Sequence, residues 1–227
     1  MSMTKSKGNN SIKELFKTLL IAGSIAIFFR SIFFEPFNIP SGSMIPSLLI
    51  GDYLFVSKYS YGYSKYSFPF GIVPIKDRVL EKSPKRGDVI VFRKPGDETI
   101  DYIKRLVAMP NDTVQVRNGI LYINNNKVER IKSKIGVMRN NLGDEKTFTQ
   151  YNETFDGLNY HNIIESSDQD IFDDTIELKV PKDHFFFMGD NRSNSSDSRY
   201  WGTVPKHDLI GKAVLTYWPV THIQLIR

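Results

Sequence analysis

The sequence predicts a mainly β protein: an antiparallel β-sheet domain with a variable β-rich insertion, preceded by one N-terminal transmembrane helix. Three observations predict it. A lysine-flanked apolar segment lies within residues 1–34. Behind it, short strand-like runs alternate with turn residues, and nothing between them sustains a helical period long enough for βαβ units. The stretch 124–175 breaks that texture, being rich in Asn, Asp, Glu and Ser with only scattered apolar residues (Ile131, Val137, Phe148, Phe155, Ile163, Ile171). The expected organisation is a tail over 1–14, a membrane span over 15–34, the body over 35–123 and 176–227, and an inserted subdomain over 124–175. No repeat period is visible.

The helix comes first in the chain. Lys5, Lys7, Lys13, Lys17 and Arg30 face only Glu14 there, a net +4 out of the chain's +5. The rest has 25 basic residues (30 less 5) and 24 acidic (25 less 1). Such a body has no excess charge to neutralise phosphates, so no nucleic-acid partner is expected. From Thr18 to Phe29 run twelve uncharged, mostly apolar residues. Alone that is short for a bilayer and fits a core helix or a signal-peptide h-region. If Arg30 snorkels, Leu15 to Phe34 supplies about twenty residues at about 1.5 Å each, enough for roughly 30 Å of hydrocarbon. The small residues Ala22, Ser24 and Ala26 lie inside the run, not after it, which argues against cleavage. An uncleaved single-pass anchor is favoured over a cleaved leader or a soluble helix. Lysines ahead of it place the N-terminus in the cytoplasm and the body outside.

The strands follow. Asp52–Ser57, Asp88–Phe92, Tyr102–Val107, Val114–Val116 with Ile120–Ile123, Ile176–Val180, His184–Met188 and Lys212–Tyr217 all have strand texture. Asn118-Gly119 between two of them is a strong hairpin signal, since both residues accept the positive φ of a type I′ turn. The insertion reads as a flap of long hairpins. The aromatic-rich stretch Tyr53–Phe70 admits two readings: a core strand with a Tyr-rich loop, or an aromatic surface at the bilayer interface.

The absence of cysteine excludes thiol proteases, iron–sulfur clusters and disulfide scaffolds. His161, His184, His207 and His222 show no HxxxH or HExxH spacing, so a metal site and a His-based triad are unsupported, and there is no P-loop. Three segments could carry chemistry. Pro36–Asp52 (PFNIPSGSMIPSLLIGD) holds Ser-Gly-Ser between Pro40 and Pro46, a rigid turn able to present a hydroxyl and a neighbouring N–H. Such clusters are also ordinary loops. Asp101–Asp112 (DYIKRLVAMPND) puts Lys104 next to Arg105, and alternation sends their side chains to opposite faces, so one of the two faces inward. If that is Lys104, desolvation lowers its pKa towards that of a general base; otherwise it is a surface lysine. Met188–Gly202 (MGDNRSNSSDSRYWG) is dense in hydrogen-bonding side chains, as a solvated loop or as a set of groups that orient others.

Together these segments resemble the boxes of the bacterial type I signal peptidases (leader peptidases), membrane-anchored serine proteases that use a Ser/Lys dyad. The resemblance covers Pro40–Leu48, Arg86–Phe92 (RGDVIVF), Asp101–Asp112 and Gly189–Gly202, in the family's order and behind an apolar segment. It implies a catalytic core over 35–123 and 176–227. It implies Ser43 as nucleophile and Lys104 as its general base, with Ser41 and the Ser43 N–H forming an oxyanion hole. Ser195 would hydrogen-bond and orient the lysine, and Asp197 and Arg199 would shape the site through an ion pair. Phe37, Ile39, Pro40, Met44, Leu48, Leu54, Val91, Tyr102 and Ile103 match positions lining small pockets for an Ala-X-Ala-like end of a signal peptide. No metal or cofactor is implied. The partners would be preproteins and the lipid bilayer, with the enzyme a monomer in the bacterial cytoplasmic (inner) membrane. Ser193 departs from the family, where Asp is frequent, which removes one partner for a nearby arginine. A histidine in place of Lys104 would mark the eukaryotic type. Two alternatives remain: a Ser/Lys self-cleaving repressor-type protease, and a tethered non-enzymatic β domain that binds exported polypeptides.

Overall fold

The computed structural model describes residues 7–68, 73–75, 77–139, 145–166 and 171–226. Phe70 of the aromatic-rich stretch, tail residues 1–6 and two parts of the insertion (140–144 and 167–170) lie outside them.

Helix α1 spans Lys7–Ile32, and its 22-residue portion Ser11–Ile32 contains an apolar window with a mean hydropathy of 1.7. At about 1.5 Å per residue that is roughly 33 Å, the thickness of a bilayer core. Leu15, Leu19, Leu20, Ile25, Phe28 and Phe29 are all exposed, so among the described residues this stretch of the helix stands clear of the body. The helix stops at Ile32, two residues before the expected end of the span. After Phe33 the chain enters strand β1 (Phe34–Asn38) at once. The junction is tied down by several bonds. Lys58 N donates to the Phe33 carbonyl at 3.0 Å and Tyr63 Oη to the Ile32 carbonyl at 3.1 Å. Arg30 Nε donates to Glu35 at 2.9 Å, and Glu35 also pairs with the buried Lys58 at 2.6 Å.

The body is β throughout. After β1 come β2 (Tyr53–Ser57), β3 (Val89–Lys94), β4 (Asp97–Ala108), β5 (Thr113–Arg117), β6 (Ile120–Ile123) and β7 (Asn126–Lys127). The insertion supplies β8 (Glu129–Arg139), β9 (Glu145–Thr154) and β10 (Tyr160–Ser166). β11 (Leu178–Lys179), β12 (His184–Met188), β13 (Val204–Pro205), β14 (Leu209–Trp218) and β15 (Gln224–Leu225) complete the chain, with one helical turn, α2 (Ser198–Trp201), before β13. The main sheet runs β1-β2-β14-β3-β4-β12-β13, with β15 paired to β14. A second sheet is β11-β5-β6-β7 and a third is β10-β9-β8. All paired strands are antiparallel.

The sequence pattern explains why the main sheet is covered on both faces. Val89-Ile90-Val91-Phe92 is a continuous apolar run, as expected of a strand buried on both sides. Val89 and Val91 join one buried cluster with Leu54, Val56, Met44 and Leu48, while Ile90 and Phe92 join another with Leu106, Phe187 and Leu209. Phe92 stacks on Phe187 with ring centroids 4.4 Å apart. The β5–β6 turn behaves as the sequence predicts: Asn118 and Gly119 have φ of 47° and 71°, and Arg117 pairs with Ile120. In the Tyr-rich stretch, Tyr61 is core and donates to Asp88 at 2.8 Å. Tyr59 is exposed and meets Phe34 edge-on at 5.7 Å, beside the foot of α1.

Candidate active site

Ser43 sits in a single 3-10 turn, Gly42–Met44, entered through the extended residue Ser41. Pro40 on one side and Pro46 on the other keep this stretch from continuing as strand or helix. Within the turn neighbouring side chains part company: Met44 enters the first apolar cluster and Ser43 turns to Lys104. The Ser43 hydroxyl and Lys104 Nζ are hydrogen-bonded at 2.7 Å, and both residues are buried.

Lys104 comes from the middle of β4, opposite Ile90 of β3. Its Nζ also donates to its neighbour's carbonyl, that of Ile103, at 3.0 Å and lies 5.1 Å from the centre of the Tyr102 ring. Burial lowers its pKa to about 8, against the smaller opposing pull of the carboxylates of Asp197 and Asp190. At pH 7 a pKa of about 8 leaves about one amine in ten neutral, against about one in 10³ for an ordinary lysine. A buried amine in contact with a hydroxyl can therefore take its proton.

The expectation that only one of Lys104 and Arg105 faces inward is corrected here. Both are buried, because the sheet is covered on both faces. Arg105 forks onto Asp190 (Nε to Oδ1 at 2.8 Å, Nη2 to Oδ2 at 2.7 Å) and reaches the Gly87 carbonyl at 2.7 Å.

The loop 189–199 closes the site. Asn191 N donates to the Ser43 carbonyl at 3.0 Å, and Asn191 Nδ2 to the Gly42 carbonyl at 3.1 Å. Gly189 lies so close that a Cβ there would fall 2.5 Å from the Ser43 carbonyl oxygen and 2.5 Å from Ser195 Cβ. Asp197 caps α2 and accepts from Gly189 N at 3.0 Å and from Arg199 Nε and Nη2 at 2.9 Å each. Burial pushes the Asp197 carboxyl up, but the Arg199 guanidinium and these hydrogen bonds outweigh it and hold it below the usual carboxylate range.

The Asp197–Arg199 pair is present as expected. Ser195 differs: among the described residues its buried hydroxyl makes no hydrogen bond to Lys104 and lies instead beside the Asp197 carboxylate, which it helps to hold ionised. Ser193 accepts from Ser166 N at 3.0 Å, and the neighbouring Arg192 finds its carboxylate in Glu153 of the insertion. Ser41 and Pro40 are exposed at the mouth of the turn. Ile39, Met44, Leu48, Leu54 and Val91 share one buried cluster with Phe37 and Ile103 packed against it, whereas Tyr102 belongs to the adjacent cluster and faces the lysine. The sequence reading missed Arg105–Asp190, Asn191 and Gly189. Gly-Asp-Asn after an apolar strand was their signal, but the partners stand 85 and more residues away.

A mainly β body on an exposed apolar helix, with a serine hydroxyl against a buried lysine amine, defines a class: a membrane-anchored serine endopeptidase. Comparison with known proteins gives the particular family. Residues 12–218 match the model of the signal peptidase family, peptidase S26, and the chain belongs to it. Signal peptidase I of Rickettsia typhi (strain Wilmington) is 38% identical over 223 residues, covering 94% of this chain and 83% of the relative. That of Rickettsia conorii (strain Malish 7) is 38% identical over 219 residues, covering 92% and 81%. A solved signal peptidase I of Enterococcus faecalis V583 is 25% identical, covers 58% of this chain and 97% of that one, and has a TM-score of 0.34. The enzyme removes signal peptides from preproteins.

Proposed function

We propose that Ser43 is the nucleophile of this peptidase and Lys104 its general base. The 2.7 Å hydrogen bond between a buried serine and an amine of lowered pKa carries this reading. Lys104 accepts the Oγ proton as Oγ attacks the scissile carbonyl. The resulting ammonium then delivers that proton to the departing amine. Ser41 Oγ and the Ser43 N–H receive the oxyanion of the tetrahedral intermediate. Water, relieved of a proton by the same lysine, hydrolyses the acyl-enzyme.

Specificity follows from the apolar residues around the serine. Phe37, Pro40, Tyr102 and Ile103, with Ile39, Met44, Leu48, Leu54 and Val91 buried beneath them, form an apolar wall that accepts small side chains and excludes bulky ones, giving cleavage after Ala-X-Ala-like ends. Lys5, Lys7, Lys13 and Lys17, ahead of the apolar run of α1, set the N-terminus in the cytoplasm, with the body beyond the cytoplasmic (inner) membrane. The enzyme acts as a monomer and has no nucleic-acid partner, since its body is nearly neutral.

The test is cleavage of a preprotein ending in Ala-X-Ala by detergent-solubilised protein, read by product mass. The parent should cut directly after the second small residue, and Ser43→Ala and Lys104→Met should each abolish the product while remaining folded. Processing retained by either variant would overturn the assignment. Protease added outside spheroplasts should digest the body and spare the first fifteen or so residues; a protected body would contradict the orientation.

A further inference from the structure

The inserted sheet is joined to the loop 189–199 by polar contacts that the proposed chemistry does not use. Glu153, in β9, is fully buried and forks onto Arg192: Nη1 donates to Oε2 at 2.9 Å and Nη2 to Oε1. Its other contact is His161 of β10, with Nε2 3.1 Å from Oε1. Burial pushes the Glu153 carboxyl up, but the Arg192 charge and the His161 contact outweigh it and hold the carboxyl ionised. Arg192 in turn holds the loop from inside. Its Nε donates to the Gly189 carbonyl at 3.2 Å, and its own carbonyl accepts from Arg199 Nη2 at 2.6 Å.

The backbone repeats the same connection. Ile164 N donates to the Asp190 carbonyl at 2.9 Å, forming a bridge between Ile164 and Asn191, and Ser166 N donates to Ser193. Within the loop, Asn191 N holds the Ser43 carbonyl, Gly189 N binds Asp197, and Arg199 pairs with Asp197. Glu153 is thus linked to the serine turn in two steps: it pairs with Arg192, and Asn191, the adjacent residue in the chain, holds the Ser43 carbonyl, while Gly189 and Arg199 bind Arg192 from the rest of the loop.

We propose that Glu153 is a positioning residue for the peptidase reaction, fixing through Arg192 the loop that seats Ser43 against Lys104. The inserted sheet is then a working support of the active site. This rests on the assignment of Ser43 and Lys104 above. Glu153 touches neither reacting group, so its effect belongs in the chemical step and not in substrate binding.

The experiment compares Glu153→Gln, Glu153→Asp and His161→Phe with the parent on a short signal-peptide substrate, with kcat and KM measured separately and thermal unfolding followed in parallel. Glu153→Gln keeps the volume but leaves the Arg192 charge uncompensated, and should lower kcat by about tenfold or more with KM within about twofold. Glu153→Asp retains the charge with shorter reach, and should show an intermediate loss of kcat, about two- to fivefold, at unchanged KM. His161→Phe keeps the Arg192 pair and should stay within about twofold of the parent.

The proposal is overturned if folded Glu153→Gln keeps its kcat, if KM rises instead, or if the lost activity only follows the unfolded fraction. It is also overturned if His161→Phe loses as much as Glu153→Gln. Should Glu153→Gln not fold, Glu153→Asp decides, parental kcat in it being the overturning result. Ser43→Ala assayed alongside separates the two readings: activity there overturns the assignment of the site, whereas an inactive Ser43→Ala with a normal Glu153→Gln overturns only the role of Glu153.

Discussion

The main sheet and the inserted sheet are both antiparallel, yet they are held by different physics. In the main sheet, β3 is sealed on both faces by apolar clusters, and its charged neighbours Lys104 and Arg105 have their partners inside. In the inserted sheet, Ile131, Ile135 and Val137 of β8 lie 53%, 61% and 59% exposed. Among its described residues the buried ones, Gln150, Glu153, Thr154, Ile163 and Ile164, lie towards its inner end. Hydrophobic burial places Ser43 and Lys104. Ion pairs and backbone bonds attach the sheet that braces them.

Four measurements break or sharpen that contrast. The largest effect is expected at the centre of the main sheet, where Phe92→Ala removes a ring stacked on buried Phe187 and flanked by Tyr102 and Trp201. It should cost about 3–5 kcal/mol in denaturant unfolding; a loss below 1 kcal/mol would mean the double-sided core is not what stabilises the sheet. Next comes Gly189→Ala, whose new Cβ collides with the Ser43 carbonyl. Displacing the turn by even part of an ångström should lower kcat/KM by about 10², and a fully active variant would show that the loop does not seat the serine.

The third measurement is the pH profile. With neutral Lys104 as the proposed base, kcat/KM should rise with pH and level off above about 8, falling about tenfold for each unit below it. A profile flat from pH 6 to 8 would contradict a base buried in this sheet. The smallest effect is expected at the tip of the insertion. Ile135→Thr should change stability by no more than about 0.5 kcal/mol, and a loss comparable to Phe92→Ala would erase the distinction between the two sheets.

The sequence made these regions legible to different degrees, for the same reason that they differ. Val89–Phe92 and Tyr102–Val107 read as strands because burial on both faces demands continuous apolar residues. Asn118-Gly119 read as a turn because its backbone requires positive φ. β1 did not, since Phe34 continues an apolar run and Pro36 interrupts any alternation; its status comes from pairing with β2, which no local pattern encodes. The strands of the insertion were equally obscure, because Lys132, Lys134, Gln150 and Asn152 give no apolar period and long-range pairing stabilises them. Ser43 and Lys104 were found as a pair only by resemblance, 61 residues apart. The buried pairs Arg105–Asp190 and Arg192–Glu153 were not found, since each arginine alone looks like any surface charge.

One residue, Phe33, separates the last turn of α1 from the first strand of the main sheet, and backbone and side-chain bonds fasten both sides of it. There is no swivel between them. A lever so short transmits rotation: when the helix tilts or turns about its axis in the bilayer, β1 and the sheet built on it must turn too. The attitude of the helix in the lipid is therefore also the attitude of the main sheet over the membrane surface.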